Sequence, residues 1–86
     1  MASNRYGGSR QRQNIKQRLL QKDPHCRYCG KALTMYSLTV DHYLPITRFP
    51  HLDREESNMV AACYRCNQEK ADQLPEDFKP SQATVL

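Results

Sequence analysis

An aspartate and a histidine stand side by side at Asp41-His42, and two asparagines follow at Asn58 and Asn67. A neutral imidazole is the side chain best able to take a proton from water near pH 7. Carboxylate and amide oxygens suit a hard cation such as Mg²⁺ and leave coordination positions open for phosphate and water. Phosphodiester hydrolysis needs those parts: a nucleophilic water, charge neutralised on the phosphate and a stabilised leaving oxygen. Each residue also has a plainer use. Asp41 can cap a strand end, His42 can be a partly buried imidazole, Asn58 a turn residue and Asn67 a helix-start residue satisfying free N–H groups.

Four cysteines form two matched pairs, Cys26-x-x-Cys29 and Cys63-x-x-Cys66. Two-residue spacing lets both sulfurs of a pair reach one tetrahedral zinc at about 2.3 Å. A redox pair explains one such motif but not two, and two local disulfides would be strained. The pattern predicts one structural Zn²⁺ held by Cys26, Cys29, Cys63 and Cys66, with no open position for a reacting water. Gly30 falls where a knuckle must turn with positive φ. Residues 30–62 lie between the pairs, a longer gap than the roughly 15–20 residues of common zinc ribbons. The zinc thus clamps both ends of a segment that carries Asp41 and His42. It also fixes Asn67, one residue beyond Cys66.

The elements that must position these residues are few. Ile15, Leu19 and Leu20 predict a helix over 10–22 with a narrow apolar stripe, stopped by Asp23-Pro24. The string HCRYCGK (25–31) is a compact turn. Leu38-Thr39-Val40 reads as a strand ending at Asp41-His42, and Tyr43-Leu44 could begin a return strand. Pro45, Pro50 and the charged DREES run make 45–57 a loop. Asn58–Ala62 is a second strand and Cys63 to about Gln73 a helix. The expected fold is a small zinc-stabilised α+β domain. Its divisions are a flexible basic arm (1–9), a stapled domain (10–74) and a loosely attached tail (75–86).

At 86 residues, 38% hydrophobic, with no Trp and a mean hydropathy of −0.85, the chain has little apolar material for a core, so a metal staple is expected. No apolar export or membrane segment is visible, so a cytoplasmic location, in a bacterial or phage-encoded protein, is expected. The net charge of +4 is unevenly placed. Residues 1–22 hold six basic and no acidic groups, leaving seven basic and nine acidic for the rest. Arg5, Arg10, Arg12, Lys16, Arg18 and Lys22 therefore point to a polyanion, most simply DNA. A solubilising tail explains the same charges.

The strings C-R-Y-C-G-K (26–31), V-D-H-Y-L-P (40–45), S-N-M-V (57–60) and C-Y-R-C-N-Q-E-K (63–70) resemble, in order and spacing, the HNH endonucleases with their ββα-metal, treble-clef-like core, here over residues 26–73. The resemblance implies that His42 is the general base, and that Asp41 and Asn67 hold a catalytic divalent metal, Mg²⁺ or Mn²⁺. It implies that Asn58 ties the long loop and steadies His42. The final motif position carries Asn67, making this an H-N-N version. Lys70, sharing Asn67's helical face, is expected to approach phosphate. The chain departs from many members between His42 and Asn58, where Thr47–Asp53 replaces a Gly-rich turn. His25 and His51 read as surface and loop, and Tyr28 and Tyr64 as covers over the zinc. Two rivals remain at this point: a non-catalytic zinc-dependent nucleic-acid-binding module and a protein-interaction module. In a regular strand Asp41 and His42 point to opposite faces, so the strand is expected to end, twist or bulge there.

Overall fold

The computed structural model describes residues 9–81. Helix α1 (Ser9–Lys22) lays Ile15 and Leu19 into the core, with Leu20 packed beside them. These positions lie one turn apart on one face. After Asp23, whose N–H still bonds the Leu19 carbonyl at 2.9 Å, Pro24 ends the helix. Strand β1 (Leu38–His42) then pairs antiparallel with β2 (Met59–Cys63), in a register running from Leu38↔Cys63 to His42↔Met59. A short helix α2 (Tyr64–Lys70) follows β2 directly. The order is helix, knuckle, strand, strand, helix, as the sequence predicts.

The first knuckle is a closed turn. Cys26 N–H bonds the Lys31 carbonyl at 2.8 Å and Gly30 N–H the Cys26 carbonyl at 3.0 Å, with Gly30 at φ 82°. Its Arg27 N–H bonds the Ala61 carbonyl at 2.8 Å, stitching the knuckle onto the outer edge of β2. The second knuckle starts α2. Cys63 is the N-cap, and its Sγ accepts from Cys66 N–H at 3.4 Å. One candidate ligand atom from each of the four buried cysteines lies within 4.8 Å of every other.

Two expectations are corrected here. The last helix stops at Lys70 rather than near Gln73, because Ala71 adopts φ 48° and turns the chain away. The segment after Pro75 is also not loose as far as Ser81. A 3₁₀ turn at Pro75–Asp77 delivers Phe78 into the core, edge-on to Tyr28 at 5.4 Å, and Ser81 Oγ donates to Glu69 at 2.7 Å. The boundary drawn at residue 74 therefore cuts through packed structure. Residues 1–8 of the predicted arm and residues 82–86 lie outside the described residues.

Among the described residues the core consists of twelve buried hydrophobic residues, four of them the cysteines. With so much of the interior built from ligands, the metal is part of folding. A strong chelator applied to reduced protein is expected to abolish the cooperative thermal transition. A metal-free, reduced chain that still unfolds cooperatively contradicts this.

Candidate active site

The chain reaches the site along β1. The register stays regular through His42↔Met59, so there is no bulge; the strand ends at His42. Beyond it the chain bends into the loop 43–58. Asp41 is 6% exposed and His42 8%, because both sides of this strand end are covered. Both residues line a cleft of about 260 Å³ together with Val40, Pro45, Ile46, Thr47, Asn67, Ala71 and Asp72.

Helix α2 runs along the free edge of β1 and satisfies its backbone. Asn67 Nδ2 donates to Thr39 Oγ1 at 2.9 Å and to the Val40 carbonyl at 3.3 Å. One turn later, Lys70 Nζ donates to the His42 carbonyl at 3.0 Å. Alternate carbonyls of an edge strand point the same way, and residues three apart on a helix share a face, so the two elements match. The contacts also orient the amide: with Nδ2 facing two acceptors, Asn67 Oδ1 is its acceptor atom and makes no hydrogen bond among the described residues.

Asp41 is oriented in the same way. Its Oδ2 accepts from the Tyr28 hydroxyl and lies 3.3 Å from Lys70 Nζ. Burial, reinforced by the hydrogen bond to Asp41, holds the Tyr28 phenol well above its usual range, so it stays protonated and donates. Among the described residues, one oxygen on Asp41 and one on Asn67 make no hydrogen bond and could hold a cation in a shared cleft. This donor set of one anionic and one neutral hard oxygen fits Mg²⁺ or Mn²⁺, which keep several waters and take few protein ligands.

His42 is held by the loop. Its Nε2 lies 2.9 Å from the Asp53 carbonyl. A carbonyl only accepts, so Nε2 carries the proton of this contact. The loop is closed at its base by Asn58, which is buried. Asn58 Oδ1 accepts from Leu44 N–H at 2.9 Å, its Nδ2 donates to the Leu44 carbonyl at 3.0 Å, and its own carbonyl accepts from Tyr43 N–H at 2.8 Å.

None of the four cysteines is joined in a disulfide, and burial acts unequally on Cys26, Cys29 and Cys66. Burial pushes Cys66 far up, aided by its contact with Cys63 Sγ, and also pushes Cys29 up. At Cys26 burial is outweighed by hydrogen bonds from backbone N–H groups and from Cys29, which bring it down to about 7. A cluster that favours the Cys26 thiolate and resists ionising Cys29 and Cys66 is suited to a divalent soft-ligand metal, which binds cysteine as thiolate.

The predicted nucleic-acid residues separate into groups. Arg10, Arg12, Lys16 and Lys22 lie on α1; Arg5 lies outside the described residues. Arg18 forms a two-pronged pair with Glu56, Nε–Oε2 at 2.7 Å and the second prong at 2.8 Å, tying α1 to the end of the loop. Lys70 has no exposed surface, so the expectation that it approaches phosphate is corrected: its ammonium is turned inward to Asp41 and the His42 carbonyl. Tyr28 does more than cover a zinc, since its hydroxyl reaches Asp41; its place inside the knuckle was the sequence's one hint. The Asp53 carbonyl left no hint at all, because a backbone atom carries no residue type.

With this geometry in view, the comparisons are direct. The family described as HNH endonuclease matches residues 26–73, more than half of the sequence. The chain belongs to the HNH endonuclease family. A CRISPR-associated endonuclease Cas9 of Corynebacterium diphtheriae is 34% identical over 56 residues, covering 65% of this chain and 5% of that protein. The crystal structure of the Type II-C Cas9 enzyme from Actinomyces naeslundii aligns with a TM-score of 0.58 at 23% identity, over 72% of this chain and 7% of that one. That likeness is one of fold, and the chain spans only a small part of either protein's length.

Asn58→Ala leaves the part-buried Leu44 N–H and carbonyl without the Asn58 side chain and is expected to cost about 1–3 kcal/mol in urea unfolding of zinc-loaded protein. A loss below ~0.5 kcal/mol contradicts the tie between Asn58 and the loop.

Proposed function

We propose that this domain hydrolyses DNA phosphodiester bonds, one strand per site, with His42 as general base and Asp41 and Asn67 as ligands of one divalent metal. The observation that carries the reading is His42 held through Nε2 by the Asp53 carbonyl, in the same cleft as one uncommitted oxygen each on Asp41 and Asn67. Family membership supports nuclease chemistry, and the relatives' names supply the word endonuclease.

In this reading His42 Nδ1 takes a proton from a water in the cleft, and that water attacks phosphorus opposite the 3′ oxygen. The P–O3′ bond breaks and the departing oxygen takes a proton from solvent water, leaving a 5′-phosphate and a 3′-hydroxyl. The bound cation supplies neutralisation of charge on the phosphate and the departing oxygen. Asp41 and Asn67 hold that cation. Asn58 holds the loop that orients His42. The basic residues of α1 and the arm carry the phosphate backbone without reading bases, and Arg18 does so only by leaving Glu56. Zinc in the four-cysteine group is architectural, and a reducing compartment such as the cytoplasm keeps its thiols available.

Supercoiled plasmid with Mg²⁺ or Mn²⁺ is the substrate that tests this. Wild-type protein is expected to nick it only with divalent metal. His42→Ala should lower nicking at least about 100-fold while zinc content and DNA affinity stay the same. Binding without metal-dependent cutting by the wild type would support a non-catalytic nucleic-acid-binding module instead, and undiminished cutting by His42→Ala removes the histidine from its role.

A further inference from the structure

We infer that Tyr28 is a positioning residue for the cleft metal, through which the four-cysteine knuckle sets the affinity of Asp41 for its cation. The inference rests on the reading of Asp41 as a metal ligand. It begins with chain connectivity: Tyr28 lies between Cys26 and Cys29, and its N–H donates to Cys26 Sγ at 3.4 Å. Its backbone is therefore set by the thiolate cluster.

The ring is fixed from several sides. It stacks parallel to Tyr43 at 6.4 Å and 6°, meets Phe78 edge-on at 5.4 Å and 86°, and has Lys70 Nζ 5.7 Å from its centroid. A tyrosine has only two side-chain torsions before its hydroxyl, so these contacts leave the phenol oxygen one place to be. That place is against Asp41 Oδ2.

The consequence for Asp41 is a division of labour between its two oxygens. Tyr28 and Lys70 both converge on Oδ2, and Oδ1 makes no hydrogen bond among the described residues. The carboxylate is thus held in one rotation about its last torsion, ready to bind a cation through a single oxygen. Without the phenol, Lys70 still attracts Asp41, but the carboxylate can turn and share both oxygens with the ammonium. Outer partners that orient a ligating carboxylate matter for affinity as well as for shape.

Mn²⁺ binding to zinc-loaded full chain, read by electron paramagnetic resonance, tests this apart from activity. Tyr28→Phe keeps the ring contacts and removes only the hydroxyl. It is expected to raise the Mn²⁺ dissociation constant about 10- to 100-fold with zinc still at one per chain. In an Asp41→Asn background the same substitution should cause no further loss. The inference is overturned if Tyr28→Phe binds Mn²⁺ as wild type does, if it sheds zinc, or if its loss persists in the Asp41→Asn background. An Asp41→Asn protein that binds Mn²⁺ unchanged instead places the failure in the assignment of Asp41 itself.

Discussion

Four sulfurs buried within 4.8 Å of one another repel as thiolates and pack poorly as thiols, so their arrangement depends on a cation among them. From that constraint the rest follows. The two cysteine pairs belong to distant parts of the chain, and joining them places the start of α2 at a set distance from the end of β1. Cys63 ends β2 and caps α2, so the strand-to-helix step and the metal group are one feature. Asn67 and Lys70 then fall against the β1 edge carbonyls, closing one wall of the cleft.

The second organising feature is the buried group of Tyr28, Asp41 and Lys70. A buried ammonium is costly unless paired and hydrogen-bonded, and Lys70 meets both requirements through Asp41 and the His42 carbonyl. A small domain accepts such a group where it fixes geometry, and here it fixes the carboxylate nearest the cleft. Phe78, brought in by the chain's final described turn, covers the same tyrosine. The knuckle, the cleft and the C-terminal segment are thus coupled through one aromatic ring.

Much of this was legible in the residues, for identifiable reasons. The cysteine spacing, Gly30 and the Ile15–Leu19 stripe are local signals, and local geometry determines their outcome. The Asp41, His42, Asn58 and Asn67 pattern identified the family because its motifs stand in order. What escaped was tertiary or backbone in origin. Lys70 looks like a surface cation on a polar helix, yet the edge carbonyls of β1 draw it inward. Phe78 sits in a polar stretch without periodicity, so only packing reveals it. Ala71 at positive φ has no residue-type signature, unlike Gly30, and the helix length was overestimated for that reason. The Asp53 carbonyl that holds His42 depends on the path of the loop between His42 and Asn58, which no residue type signals.

The central claim is that one cation held by four cysteines builds a separate cleft for another. Anomalous-scattering maps from crystals soaked in Mn²⁺, collected at the zinc and manganese edges, test it most directly. The account predicts a zinc peak among the four Sγ atoms and a manganese peak beside Asp41 and Asn67. A zinc group with other ligands, paired disulfides in its place, or manganese bound away from that cleft would contradict it.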